Sequence, residues 1–206
     1  MINHLNMYCL SLIDSHLQKI NNLNYIPVGL GDAKFSNEWV TDKSGINISH
    51  KNSSYGEYTF HYNLWKNNLL KDKIWNGFCS YRRFWLNSVS QNKFEKLEDN
   101  VLKIIPQEWE EYDVVLVNPI KVNKIKFSKI LKHGKKIFFK KPFLFFNKKN
   151  ITIKTHFDMF HGYGNLAKAI NVLEEKERAD FIDFVNTYNS FNPYNMFICK
   201  LSLIHI

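Results

Sequence analysis

Glycine and proline are scarce, at 8 and 5 in 206 residues, which excludes low-complexity linkers. Cysteine is scarcer still. Cys9, Cys79 and Cys199 are far apart, odd in number and set in or beside apolar runs. That spacing offers neither a disulfide framework nor a zinc site, and it reads as buried, reduced thiols. Arginine occurs three times, as Arg82, Arg83 and Arg178; the other basic residues are lysine. No apolar run approaches the 18 residues of a membrane-spanning helix. Ile137 to Phe146 is the most apolar stretch outside the candidate core strands, but Lys140, Lys141 and Pro142 interrupt it. Such a segment can lie on a bilayer surface, not cross it. Zinc-finger, RNA-binding aromatic and basic-zipper patterns are missing, so the basic balance does not read as nucleic-acid binding.

Apolar residues are plentiful. Hydrophobic residues make up 45% of the chain and aromatics 16%, enough for a sizeable core. The formal net charge is +9, with 28 Lys+Arg against 19 Asp+Glu. Lysine, asparagine and isoleucine share A/T-rich codons, and a biased genome accounts for part of the basicity. Attraction to an anionic partner is the other reading.

Periodicity predicts strands over Met7–Leu12, Tyr25–Val28, Trp75–Tyr81, Asp113–Val117 and Met196–Lys200. Helices are expected after a cap at Asp14 or Ser15 through Ile20, from a Ser54/Glu57 capping box over Tyr55–Lys66, and over Phe94–Ile105, Leu166–Glu174 and Arg178–Val185. A further helix is read around Phe127–Lys132, and Ile151–Phe157 reads as extended. Alternating strands and helices indicate an α/β fold. The lysine-rich stretch 121–150 reads as an insertion or lid, or as a solvated surface excursion.

Four groups of residues carry candidate chemistry. Asp42, Asn47, Ser49, Lys51 and Asn52 crowd a loop before a helix. Free backbone donors there suit a phosphate and the side chains suit a ribose diol, although a self-bonded turn uses the same residues. Tyr81, Arg82 and Arg83 end an apolar strand, and the carboxyl ends of strands are where open α/β sheets bind ligands. Guanidinium forks match phosphate, and alternation along a strand would turn one of the two toward the ligand. His156, Asp158 and His161 form a carboxylate flanked by imidazoles. This is a tuned general base, a three-ligand metal site, or a structural network. Asn195 precedes the last strand in a polar turn and is a candidate for binding a sugar hydroxyl of the acceptor, or for the turn itself.

These blocks resemble, in order, a bacterial family catalogued as a domain of unknown function and associated with capsular and exopolysaccharide glycosyltransferases. The matching segments are DKSGINISHKN (42–52), YGEYTFHYNLWKN (55–67), GFCSYRRFW (77–85) and NMFICK (195–200). The stretch 156–162 is similar to one branch of it. The resemblance spans nearly all of residues 7–200 and implies a single-domain GT-A-like fold, a Rossmann-like mixed sheet flanked by helices, over residues 1–200. It implies transfer from a nucleotide-sugar donor to a glycan or lipid-linked acceptor, in the cytoplasm with peripheral contact at the inner membrane. A non-catalytic nucleotide- or sugar-binding protein is the alternative. Asp42, Asn47, Ser49, Lys51 and Asn52 would frame the nucleotide, and Glu57 and His61 would orient the donor sugar or the loop. Arg82 or Arg83 would grip the diphosphate, and Asp158, aided by His156 or His161, would deprotonate the acceptor. Many enzymes of that fold use an Asp-x-Asp motif and a divalent metal; here Tyr81-Arg82-Arg83 stands instead. Manganese or magnesium remains an open cofactor, none being required. Family members continue beyond the NMFI-type strand, so the chain is expected to be cut short, with residues 201–206 read as translated sequencing adapter.

Overall fold

The structure, a computed structural model, describes residues 4–70, 75–87, 96–124, 127–140, 143 and 147–200. The tail 201–206 lies outside them. Two compact units emerge: residues 1–117 with 194–206, and residues 118–193.

The first unit is built on one mixed sheet flanked by helices. β1 (Leu5–Ser11) lies between β2 (Ile26–Gly29) and β4 (Trp75–Ser80), parallel to both. β3 (Val40–Thr41) extends the sheet beyond β2, and β8 (Phe197–Cys199) runs antiparallel between β4 and β5 (Val114–Leu116). The order is β3-β2-β1-β4-β8-β5. Strands covered on both faces read as continuous apolar runs, and the last five residues of β1 are all buried. Side chains alternate across the pleat. Met7 and Cys9 enter one cluster with Tyr25, Trp75, Cys79 and Ile198. Tyr8 and Leu10 enter the other with Val28, Phe60, Leu64 and Phe78. Phe60 and Leu64 belong to α3 (Tyr58–Lys66), which covers that second face. Gly77 sits inside β4 because Met7 of the neighbouring strand fills its side-chain space; a Cβ there would come within 2.7 Å of Met7 Cε.

Several local expectations change. Asp14 does not cap α1 (Leu17–Asn22); its carboxylate accepts from the Ser36 amide at 2.9 Å. The expected 55–66 helix is two pieces, α2 (Asn52–Tyr55) and α3, separated by Gly56 at φ +55°. Glycine enters that conformation without the steric cost borne by other residues. The capping box is not formed, since no side chain caps either helix. Residues 94 and 95 of the expected 94–105 helix lie outside the described residues, and over the rest only α4 (Leu97–Asn100) is helical. Beyond it the backbone is extended at Val101, which bridges to Leu86, and the carbonyl of Leu102 accepts from Tyr25 Oη at 2.9 Å. Burial of Val101, Leu102 and Ile105 against the sheet core outweighs helical periodicity. β5 covers only three residues, at the sheet edge, with Val114 and Leu116 exposed.

Among its described residues the second unit holds a two-stranded ladder, β6 (Ile120–Lys121) with β7 (Ser190–Phe191), and five α-helices. These are α5 (Phe127–His133), α6 (Lys135–Lys140), α7 (Ile153–Phe160), α8 (Asn165–Ile170) and α9 (Glu175–Thr187). Residues 153–157, expected as extended, open α7 instead. Thr152 caps it, its Oγ1 accepting from the Thr155 amide at 3.4 Å. Its apolar side supplies Ile153 and Met159 to small cores with Ile151, Ile170 and Val185. Among the described residues no helix is long and apolar enough to cross a membrane.

Candidate functional site

From β1 the chain moves outward to β2 and β3, then returns to the other side of β1 as β4. Such a reversal opens a crevice beyond the carboxyl ends of the central strands. A cleft of about 230 Å³ lies there, lined by Ser11, Leu30, Asn52, Glu57, Tyr81 and Asn195 among others. β1 supplies Ser11, the end of β4 supplies Tyr81, the α2–α3 corner supplies Asn52 and Glu57, and the turn before β8 supplies Asn195.

Each wall has an identifiable support. Ser11 Oγ lies 2.8 Å from His16 Nδ1, and the His16 ring stacks on Tyr81 at 4.2 Å between centroids. Strand β4 stops at Ser80, and the Arg83 amide closes a turn onto the Ser80 carbonyl at 3.0 Å. Arg82 and Arg83 therefore leave a turn, not a strand, and strict face alternation does not apply to them. The Arg82 guanidinium lies over the Tyr81 ring at 4.8 Å, and that of Arg83 over Tyr194 at 4.3 Å. Lys19 Nζ adds a third cation, donating to the Tyr81 carbonyl at 3.5 Å. Both arginines are exposed, and among the described residues neither has a carboxylate partner.

On the opposite wall Asn195 Nδ2 donates to Glu57 Oε2 at 3.0 Å, and Tyr58 Oη donates to Asn195 Oδ1 at 2.9 Å. The side-chain amide is thereby oriented, and it fixes one oxygen of the carboxylate. The other, Oε1, has no partner among the described residues. His61, expected beside Glu57 on one helix face, turns into the core against Phe78 and Phe197, with ring centroids 4.7 and 5.2 Å away. Both ring nitrogens are buried without partners, and burial pushes its pKa down to about 4. It is a neutral packing residue.

The loop that begins at Asp42 is largely bonded to itself. Asp42 is fully buried; its carboxylate accepts from the Gly31 amide at 3.1 and 3.3 Å and from Thr59 Oγ1. Asn47 donates to the carbonyls of Lys43 and Gly45 and accepts from Ser49. Asn52 donates to the Gly56 carbonyl at 2.8 Å and to Thr59 Oγ1 at 3.1 Å. Asp42 and Asn47 thus shape the loop. Asn52 lines the cleft, and Lys51 is exposed at the start of α2. With only four residues, α2 has too weak a dipole for the phosphate role expected of a helix start.

In the second unit, Asp158 lies in a polar hollow of about 190 Å³ with Lys140, Thr152, Lys154, Tyr163 and Asn186. One carboxylate oxygen pairs with Lys154 Nζ at 2.7 Å and the other accepts from the Gly164 amide at 2.9 Å. Its partners are therefore an ammonium group and a backbone amide, not imidazoles. His156 packs on Phe160 and Phe191, burial and the neighbouring His161 lowering its pKa, while His161 is exposed on Phe157. Two residues apart on a helix, His156 and Asp158 point to different sides. Among the described residues no group of three His, Cys, Asp or Glu side chains could hold a metal ion. The turn after β4 offers guanidinium groups where a divalent cation would need carboxylates, so the donor set there does not fit one.

Ser11 and His16 escaped the sequence reading. Short polar residues after a buried strand were the available signal, and the Ser11–His16 bond joins two residues five apart.

The chain is similar to a solved structure, the apo form of the bifunctional glycosyltransferase WbbM, with 19% identity and a TM-score of 0.59. The match covers 98% of this chain and 35% of that one, so the chain spans about a third of its length; at this identity the likeness establishes the fold. No curated protein matches. A family model described as a domain of unknown function, DUF4422, matches residues 11–205. With that match running through the central sheet, the cleft and the second unit alike, the chain belongs to the DUF4422 family.

Proposed function

We propose that this chain performs glycosyl transfer from a nucleotide-sugar donor to a glycan or lipid-linked acceptor, in the assembly of bacterial surface polysaccharide on the cytoplasmic side of the inner membrane. The observation that carries the reading is the cleft at the sheet's reversal point. Its lining includes Tyr81, on whose ring the Arg82 guanidinium stacks, and Glu57, a carboxylate with one oxygen engaged.

The chemistry follows from those two charges. The bond between the anomeric carbon and the diphosphate breaks, and its electron pair passes to the departing phosphate oxygen. Arg82 or Arg83 stabilises that charge, in the role a divalent cation has elsewhere. The acceptor oxygen bonds to the anomeric carbon and its proton passes to a carboxylate. Asp158, the base expected from the sequence, has both oxygens engaged. Glu57 has one oxygen without a partner and lines the cleft, so it takes this role. Asn52 and Asn195 supply polar contacts to the donor.

The test is a thermal-shift screen with UDP-, GDP-, dTDP- and CMP-sugars, followed by measurement of the nucleotide released, a nucleoside diphosphate from the first three and CMP from the last. One nucleotide class is expected to raise the melting temperature and to be turned over. Binding without turnover would support a binding protein instead, and no shift with any nucleotide sugar would refute both. Transfer is expected to survive EDTA. Complete loss restored by manganese would move the phosphate-stabilising role from arginine to a metal.

A further inference from the structure

The polar hollow of the second unit takes no part in the transfer chemistry, yet its charges do not balance. Three helices meet around it. Lys140 ends α6, Lys154 and Asp158 lie on α7, and Asn186 lies on α9, while Asn150 and Tyr163 flank α7 in the chain. All six belong to the second unit. The hollow measures about 190 Å³, below the ~300–1,000 Å³ of sites for drug-sized molecules. It suits a single sugar-sized group.

Two ammonium groups converge on one ring. Lys140 Nζ lies 4.1 Å and Lys154 Nζ 5.8 Å from the centroid of Tyr163. Asp158 balances only one of them. One of its oxygens pairs with Lys154 at 2.7 Å, and the other accepts from the Gly164 amide. Lys140 has no carboxylate partner among the described residues. Like charges drawn into a confined space repel, and a bound anion would relieve that cost. The rest of the rim is neutral and hydrogen-bonding. Asn186 Nδ2 donates to the Ile182 carbonyl at 2.7 Å, which fixes the amide and leaves its oxygen without a partner among the described residues. The Asn150 side chain has none there either. Side-chain amides both donate and accept, as sugar hydroxyls do.

We infer that this hollow is a binding site for a glycosyl phosphate, the phosphate on Lys140 and the sugar hydroxyls on Asn150 and Asn186. Lysine offers a point charge rather than the planar fork that matches a carboxylate, and a tetrahedral phosphate accepts a point charge from any side. Two sources carry that chemistry: a free sugar phosphate, and the phosphate next to the first sugar of a lipid-linked glycan. The site needs no nucleotide sugar, and its occupancy is measured without any transfer.

Isothermal titration calorimetry of the full chain tests it. The ligands are the 1-phosphates of glucose, galactose and N-acetylglucosamine, the decyl diphosphate esters of the same sugars, the free sugars and inorganic phosphate. At least one phosphorylated sugar is expected to bind about tenfold or more tighter than its free sugar and than inorganic phosphate. Tighter binding of the monoester assigns the site to a free sugar phosphate, and tighter binding of the decyl diphosphate assigns it to a lipid-linked glycan. Equal binding shows that only the shared glycosyl phosphate is read. Lys140→Gln should weaken that binding about tenfold or more, as expected for one lost hydrogen bond to a charged group. Asn186→Ala should weaken the phosphorylated sugar and leave inorganic phosphate unchanged. Arg82→Gln, in the other unit, should change neither. The inference is overturned if no phosphorylated sugar binds, if inorganic phosphate binds as tightly, or if Lys140→Gln retains wild-type affinity. It is overturned too if Arg82→Gln loses as much binding as Lys140→Gln. Circular dichroism of each variant separates lost binding from lost folding.

Discussion

Asn195 and Glu57, 138 residues apart in sequence, meet at 3.0 Å, the amide donating to one carboxylate oxygen. The contact joins the turn before β8 to the N-terminus of α3 and holds a carboxylate at the mouth of the central strands.

If Glu57 accepts the acceptor's proton, Glu57→Gln should lower kcat by about 100-fold or more with donor affinity unchanged, and the acid limb of the pH–rate profile should vanish. Asn195→Ala should reduce kcat less and move that limb, since it frees the carboxylate without removing it. A Glu57→Gln enzyme with wild-type kcat and an intact acid limb removes Glu57 from the chemistry.

Asp42 should matter for stability. Asp42→Ala strands the buried Gly31 amide and leaves the Thr59 hydroxyl only the Gly56 carbonyl, costing about 2–3 kcal/mol. Urea denaturation should show a lowered midpoint with an unchanged slope. An unaffected midpoint would mean that this loop contributes nothing to the global fold.

His61 should make folding acid-sensitive. Burial pushes its folded pKa down to about 4 from the ordinary 6.5. Between those values the unfolded chain binds more protons, so stability is complete above the unfolded pKa and falls as pH drops toward 4. The loss attributable to this group is up to about 3 kcal/mol. His61→Phe should flatten the stability curve between about pH 6.5 and 4, and an identical slope in the variant would place the acid sensitivity elsewhere.

Asp158 and Lys154 offer a contrast. Lys154→Met leaves a buried carboxylate with only the Gly164 amide and should destabilise the second unit by about 2 kcal/mol. Asp158→Asn keeps an acceptor for that amide and should be milder. Should a stably folded Asp158→Asn enzyme bind donor normally yet fail to transfer, the base would be Asp158 after all.

The central strands were legible because both faces are buried and their residues are mostly apolar. The place of Arg82 and Arg83 just beyond β4 was legible from the apolar run that precedes them. Other features were not, because they depend on distant partners. His61 shares a helix with polar neighbours, and only the packing of Phe78 and Phe197 shows that it faces inward. Val101 and Leu102 have helical spacing, yet contacts with Leu86 and Tyr25 pull them straight. The Asp158 setting turns on Lys154, an i,i+4 partner on α7, and on Gly164. The first was hidden when 151–157 was read as extended.

The place of β8 has a consequence for biosynthesis. This strand fills the gap between β4 and β5, yet the ribosome makes it only after the entire second unit. During translation β4 and β5 must wait with unpaired edges while about 75 intervening residues emerge, a span of several seconds. The second unit can pack in that interval. The first cannot complete its sheet, nor set Asn195 against Glu57, until the chain has passed residue 199.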